Sequence, residues 1–174
     1  MQLMHVDKTT YRKNTNIVIG SFVASLAILA LIFGALLIHF FGATTVTDDG
    51  STGNFHLNFL GVICSLLVCS IVLHSQKQSR LMREVYYVWQ LKQVQNRIYR
   101  KLANIKRAAE HHDKNAFIIL SFYFASLKQV YTLDDNTLTI SAVENDLIKL
   151  NASIAAQGLS VSIEEFEVAL LDKI

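Results

Sequence analysis

Few side chains in this sequence are placed to do chemistry, and the most suggestive pair is two histidines. His39 lies near the end of one long apolar run and His56 near the start of the next. If both runs cross a membrane as helices, the two imidazoles face each other near one membrane surface, and paired histidines can ligate b-type haem. A two-helix hairpin alone leaves such a haem half exposed, so hydrogen bonding at the membrane interface is the simpler role.

The other candidate groups lack a spacing that supports metal binding or catalysis. Adjacent His111 and His112 point about 100° apart on a helix, so they do not readily hold one metal ion. Cys64 and Cys69 lie within an apolar run and match no zinc, haem-attachment or redox spacing. The sequence contains no glycine-rich phosphate loop, nucleophile elbow or HExxH pattern. We therefore expect no cofactor, no bound metal and no enzymatic activity.

The elements that position these side chains are two apolar runs, residues 17–41 and 55–74, neither of which contains Asp, Glu, Lys or Arg. A helix needs about 20 apolar residues to cross the hydrocarbon core of a bilayer. Both runs are therefore predicted to be transmembrane helices that form a hairpin. The first run is too long for the apolar region of a signal peptide, which spans about 7 to 15 residues, so we expect it to remain as an anchor.

Basic residues flank both runs, whereas the loop between them is acidic. The flanking cations are Lys8, Arg12, Lys13, Lys77, Arg80 and Arg83. The loop at 42–54 carries Asp48 and Asp49 and no Lys or Arg. Because cytoplasmic flanks collect Lys and Arg, we expect both termini, including residues 1–16, in the cytoplasm of a bacterium and the loop in the periplasm. Anionic lipid headgroups of the inner membrane should contact Lys77, Arg80 and Arg83.

Small residues recur along one face of each run. They are Gly20, Ala24 and Ala27 in the first run and Gly61, Ser65 and Cys69 in the second. Small side chains at this spacing let two helix backbones approach closely, which is how helices associate within a membrane. We expect these faces to close the hairpin or to bind a partner, either a second copy of the chain or a transmembrane helix of another protein.

Residues 75–174 form the expected soluble part. No Gly or Pro interrupts residues 74–110, and apolar residues recur there on one helical stripe, which predicts a long stalk helix. Residues 77–110 carry nine Lys or Arg and two Glu, a net of +7, whereas residues 111–174 carry four Lys and nine Asp or Glu, a net of −5. Basic residues among aromatics also suit nucleic acid. Since these aromatics lie on or beside the packing stripe, we disfavour nucleic acid as a partner.

The segment at 117–127 is apolar on all sides but too short to span a membrane. We expect it to be the central buried helix of a cytoplasmic bundle; a helix lying flat in the membrane interface is the alternative. Two more helices are predicted by capping boxes at Ser141 and Ser162, each with Glu three residues later, and Gly158 should end the first of them. The expected core residues are Phe117, Leu120, Phe124, Leu147, Leu150, Phe166 and Leu170.

Two stretches carry a resemblance to a known family. They are EVYYVWQLKQVQNRIYRKL at 84–102 and LKQVYTLDDNTLTI at 127–140, with YRK at 11–13. Together with the hairpin, they make the chain similar to an uncharacterised family of small gammaproteobacterial inner-membrane proteins, grouped as a domain of unknown function. The resemblance covers nearly the whole chain and implies two spans, a helical cytoplasmic domain and a gammaproteobacterial source. It implies no activity, ligand or catalytic residue.

These features predict an all-α protein in which a transmembrane hairpin is followed by a stalk helix and a small cytoplasmic bundle. The missing catalytic motifs, the small-residue faces and the segregated charge indicate a non-enzymatic accessory or scaffold protein that presents its helical domain to a partner or a membrane complex. A small haem- or ligand-binding redox subunit that uses His39 and His56 is the alternative.

Overall fold

The computed structural model describes residues 1–43 and 53–174, and within these two ranges every regular element is a helix. The α-helices are α1 (Lys8–Phe41), α2 (Phe55–Ser75), α3 (Met82–Glu110), α4 (Lys114–Leu133) and α5 (Thr137–Ala156). Two 3-10 turns follow, Ile163–Glu165 and Val168–Lys173. The predicted all-α class is confirmed. Most of the predicted loop at 42–54, including Asp48 and Asp49, lies outside the described residues.

The chain divides into two compact units. Residues 13–83 form a hairpin unit that contains α2 and most of α1, and residues 1–12 and 84–174 form a helical unit. Three described helices are long and apolar enough to cross a membrane, namely α1, α2 and α4. They differ in how much of their most apolar window is buried by the rest of the chain: 6% for α1, 22% for α2 and 67% for α4. Only α4 is therefore mostly covered by protein.

The predicted stalk helix is interrupted. The chain leaves the helix after Ser75 and starts α3 at Met82, so residues 76–81 form turns. No Gly or Pro marks this break; instead Ser79 begins the new helix, because its Oγ accepts a hydrogen bond from the backbone N–H of Met82 at 3.3 Å. A serine side chain at this position replaces the helical partner that the first backbone N–H groups lack. The prediction of one continuous helix over 74–110 was wrong for this reason.

The core of the helical unit surrounds α4. Twelve of its residues are buried, among them Phe117, Leu120 and Phe124, and α4 packs against α5 and against both 3-10 turns. The structure also buries Leu150 and Phe166 in this core. Leu147 and Leu170 are half-buried at its edge. Asp113 starts α4, since its carboxylate accepts the backbone N–H of Asn115 at 2.7 Å.

The two predicted capping boxes have different outcomes. Ser141 lies inside α5 on its exposed side, because the helix already begins at Thr137, two residues after Asp135, which has a φ of +62°. The box at Ser162 is present, with Ser162 N–H donating to Glu165 at 2.9 Å, but it begins a three-residue 3-10 turn and no α-helix. Gly158 ends α5 with φ of +62°, as predicted.

Phe166 explains why the last segment is not a helix. It adopts an extended backbone, φ −70° and ψ 121°, between the two 3-10 turns. This conformation places its ring on Phe122 of α4, with ring centroids 3.9 Å apart and planes within 12°. The C-terminal residues are thus shaped by burial of one aromatic ring, since a segment this short gains little from helix formation itself.

Candidate interaction surfaces

The two candidate haem ligands are both exposed in the hairpin unit. The His56 ring nitrogen Nδ1 lies 3.0 Å from the carbonyl oxygen of Gly53, and the ring of His39 packs edge-on against Phe40 at 5.1 Å. Across residues 1–43 and 53–174, no three His, Cys, Asp or Glu side chains cluster as metal ligands would. Each histidine therefore has a local contact within the chain.

The second helix of the hairpin packs through its small residues. Gly61, Ser65 and Cys69 are buried, together with Leu57 one turn earlier. A Cβ atom added at Gly61 would lie 2.7 Å from the backbone nitrogen of Gly34 and 2.9 Å from its Cα. The backbones of α1 and α2 therefore approach closely at Gly34 and Gly61, and a side chain at Gly61 would collide with the backbone of Gly34.

The first helix uses a different face from the one that its sequence suggested. Gly20, Ala24 and Ala27 are all exposed within the chain, and a Cβ added at Gly20 would meet no atom within 4 Å. As a face that closes the hairpin, this set is corrected: the contact runs through Gly34, which is buried and faces Asn58 and Gly61 of α2. The physical reason is that the glycine of α1 that meets the small-residue face of α2 is Gly34, whereas a Cβ at Gly20 would meet no atom of α2. A role between copies of the chain stays a prediction for Gly20, Ala24 and Ala27.

Of the residues predicted to contact lipid headgroups, Lys77 and Arg80 lie in the turns after α2, and Arg83 lies in the first turn of α3. Arg80 and Arg83 are exposed and Lys77 is half-buried. Beside them, an apolar cavity of about 310 Å³ opens between the ends of the two hairpin helices. Its walls include Phe22, Cys69 and Met82. The cations are thus chain neighbours of Gln76, Ser79 and Leu81, which line this apolar opening in the hairpin unit.

Residues 1–12 pack against the helical unit, a feature that the sequence analysis did not anticipate. The backbone N–H of Met4 donates to the hydroxyl of Tyr87 at 2.8 Å, and the side-chain amide of Gln129 donates to the carbonyl oxygen of Met4 at 2.5 Å. Val6 and Tyr11 are both buried in the same core. Burial also raises the pKa of the Tyr87 hydroxyl, so this group stays neutral and able to hydrogen-bond.

The acidic turn between α4 and α5 holds the start of α1. Lys8 and Arg12 both pair with Asp135, at 2.5 and 2.8 Å, while Lys92 of α3 pairs with Asp134 at 2.7 Å. The hydrogen bonds from Lys8 and Arg12, with their positive charges, hold the pKa of the Asp135 carboxyl below its usual value. We call Lys8, Arg12, Asp134 and Asp135 the acidic-turn clamp.

A signal for this clamp was present in the sequence. Lys8 and Arg12 lie four residues apart and so share one face of the first helical turn, and the LDDNT turn offers two adjacent carboxylates. The two stretches lie 127 residues apart along the chain. Nothing in the local sequence of either stretch identifies the other as its partner. The cations were assigned to membrane topology, and their pairing with these carboxylates was not predicted.

The outer side of α5 is exposed and largely apolar. Leu138 is 92% exposed and Ile148 is 66% exposed, and between them on the same side lie Ala142 and Asn145, with Ala152 one turn further, all exposed. At 100° per residue these positions fall within about 120° of the helix circumference, opposite the buried residues of α5. We call this set the α5 stripe. The exposed side chains of Ser141 and Lys149 fall within the same arc, so this side of α5 also carries one positive charge.

Comparisons with known proteins show the family to which the chain belongs. No curated protein and no solved structure matched the chain. A family described as "Protein of unknown function (DUF3087)" matches residues 1–171, which is almost the whole chain. The match contains the whole hairpin unit and all of the helical unit except residues 172–174, including the acidic-turn clamp that joins residues 8 and 12 to residue 135. The chain therefore belongs to this family of proteins of unknown function.

Proposed function

We propose that this protein is a non-enzymatic membrane adaptor, anchored by α1 and α2, that presents its helical unit to a partner in the bacterial cytoplasm. The exposed apolar side chains of α1 and α2 support the anchor, because such surface is costly in water and favourable in a bilayer. The exposed α5 stripe carries the adaptor role. It lies on a unit whose own core is already covered, so the chain itself has no use for it.

Two spans, and not three, fit the packing of the helical unit. Residues 1–12 precede the first span and residues 84–174 follow the second, yet both belong to one compact unit. They must therefore lie on the same side of a membrane, which requires an even number of spans between them. This argument is independent of the positive flanks, which favour the cytoplasmic side. It also leaves α4 as a core helix.

Reporter fusions test this topology. A fluorescent protein fused after Ile174 should fluoresce, and an alkaline phosphatase inserted within residues 44–52 should be active, because the loop is proposed to be periplasmic. Active phosphatase at the C-terminal end would contradict the arrangement.

Photo-crosslinking in cells tests the adaptor role. A photoreactive residue at Asn145, on the α5 stripe, should give an adduct of discrete mass in the native membrane. Leu138→Asp with Ile148→Asp should reduce the adduct by about tenfold or more, since two buried apolar anchors contribute at least about 1.4 kcal/mol. Both positions are exposed, so stability should change by only about 0.5 kcal/mol.

The matched control places the same two charges off the stripe. Thr139→Asp with Asn151→Asp changes exposed residues on the flanks of α5, and the adduct should persist. An adduct of twice the chain's mass would identify a second copy as the partner. No adduct, or equal loss in both variants, would contradict the proposal. So would a Soret band in the purified protein, which would favour haem at His39 and His56.

A further inference from the structure

The outer face of α3 combines aromatic and basic residues. We define it as Tyr86, Trp89, Arg97, Arg100 and Arg107. At 100° per residue these five positions fall within about 80° of the helix circumference. The fully buried positions Leu91, Ile98 and Ile105 lie on the opposite side, each 0% exposed. The outer face of α3 therefore points away from the core of the helical unit.

The arginines of this face are not used by the fold. Two other cations of α3 have partners: Lys92 pairs with Asp134, and the ammonium of Lys101 donates to the carbonyl oxygens of Leu171 and Ile174. By contrast, Arg97, Arg100 and Arg107 are exposed and make no hydrogen bond or ion pair with any residue that the structure describes. Arg83 and Lys106, which lie off this face, also have no such partner among the described residues. The two acidic residues of α3, Glu84 and Glu110, lie outside this face. Three arginines thus form an unneutralised row.

The aromatic end of the face has the character of a membrane interface. The rings of Tyr86 and Trp89 stack at 5.5 Å with planes within 19°, and Trp89 remains 53% exposed. Trp and Tyr are enriched where hydrocarbon meets headgroups, since their rings are apolar at one end and polar at the other. A stacked pair with a half-buried Tyr86 and an exposed Trp89 suits that environment better than water.

Chain connectivity keeps this end close to the bilayer. If α2 spans the membrane, as proposed above, only residues 76–81 separate the end of the span from the start of α3. Six residues reach at most about 20 Å. Arg107, however, lies 18 residues beyond Trp89, about 27 Å along the helix. That distance exceeds the Debye length of about 8 Å at physiological salt, so a helix normal to the bilayer would place Arg107 out of range.

We propose that α3 lies along the cytoplasmic surface of the membrane, with Tyr86 and Trp89 in the interface and Arg97, Arg100 and Arg107 on anionic phospholipid headgroups. This inference rests on the proposed membrane anchor. An amphipathic helix with a basic, aromatic outer face binds such a surface through headgroup attraction and shallow insertion of its aromatics. The surface it uses is separate from the α5 stripe, which stays available to a protein partner.

The single tryptophan of the chain, Trp89, reports on this contact directly. The full chain is reconstituted into nanodiscs of phosphatidylcholine, or of equal parts phosphatidylcholine and phosphatidylglycerol. In both, the lipids are brominated near the carbonyl end of the acyl chains. Quenching and a blue shift of the Trp89 emission should be stronger with phosphatidylglycerol, and added salt should reverse the difference.

The test variant is Arg100→Gln with Arg107→Gln. Because each cation near an anionic surface strengthens binding about fivefold, docking should weaken roughly 25-fold and the phosphatidylglycerol-dependent quenching should be lost. The matched control is Lys106→Gln with Lys173→Gln, which removes the same charge from exposed positions off the face. This control should retain the quenching.

Three results would overturn the inference. Trp89 quenching that is equal in the two lipid mixtures would show no headgroup preference, and equal loss in both variants would show a dependence on net charge alone. Binding of an oligonucleotide by the arginines, without a response to phosphatidylglycerol, would assign the face to nucleic acid. A chain that stayed soluble without lipid or detergent would instead contradict the membrane anchor itself.

Discussion

Helices α2 and α4 are similar in length, 21 and 20 residues, and both are apolar enough to cross a membrane, but their surroundings differ. Only 22% of the apolar window of α2 is buried by the chain, against 67% for α4. Around most of α4, the chain supplies aromatic and aliphatic partners, including Phe166 and residues of the segment 1–12. The difference shows that hydropathy identifies apolar helices, whereas the number of apolar partners elsewhere in the chain decides whether such a helix is a protein core.

The largest expected effect is the loss of stability caused by a charge placed inside α4. Leu120→Asp should destabilise the helical unit by about 4 kcal/mol or more, because Leu120 is only 4% exposed and an unpaired buried charge is costly. Denaturant unfolding of the full chain in mild detergent, followed by circular dichroism, measures this loss. Leu138→Asp, at a residue 92% exposed, is the control and should leave the transition unchanged. A stable Leu120→Asp chain would mean that α4 is not the core.

A smaller effect is expected in the hairpin unit. Gly61→Leu should destabilise the packing of α1 on α2 by about 1 to 3 kcal/mol, since the new side chain would meet the backbone of Gly34 and force the helices apart. Faster amide hydrogen exchange in α2, measured in detergent micelles, would report it. Gly20→Leu is the control, because a Cβ there meets nothing within 4 Å. Equal exchange in the two variants would contradict the glycine contact.

The smallest effect concerns the acidic-turn clamp. Asp135→Asn should loosen residues 1–12 without unfolding either unit, because exposed ion pairs contribute little. Since ion pairing lowers the pKa of Asp135 in the folded chain, its contribution is present above the usual pKa of about 3.8 and is lost as the pH falls through the lowered value. Hydrogen exchange of residues 8–12 measures this loosening.

The control for the clamp is Asp172→Asn, which removes one exposed carboxylate from the same unit. It should leave the exchange of residues 8–12 unchanged. Identical exchange in the Asp135→Asn chain and the native chain would show that the hydrogen bonds of Met4 hold the segment without the clamp.

The sequence was most informative where the signal was local. Length and the absence of charge predicted helices over both long apolar runs. The short run at 117–127 was predicted to be a buried helix, and it forms the centre of the longer helix α4, Lys114–Leu133. The break at 76–81 was missed because it has no Gly or Pro; only Ser79 marks it, and serines are common in helices that do not end. The start of α5 was predicted at Ser141 from a capping-box pattern. That pattern can also occur by chance inside a helix, as it does here.

The surfaces were harder to predict because they depend on contacts between distant residues. Gly34 was overlooked in favour of Gly20, since both lie in the same apolar run and only the position of α2 distinguishes them. The three arginines of α3 were counted as part of a solvated stalk, and the structure separates them from Lys92 and Lys101 by showing which cations already have partners. A single sequence contains the charges but not their pairing.

The clamp between Lys8 and Asp135 has a consequence for biosynthesis. The bond joins positions 127 residues apart, and the loop it closes contains both proposed spans. Contacts of such separation form late, because the intervening chain must first be ordered. If the two proposed spans insert as a hairpin, the helical unit is therefore completed only after insertion has left both ends on the same side. A hairpin inserted with its first end across the bilayer would leave Tyr87 and Gln129 without Met4, so the incomplete unit itself would mark the molecule as misassembled.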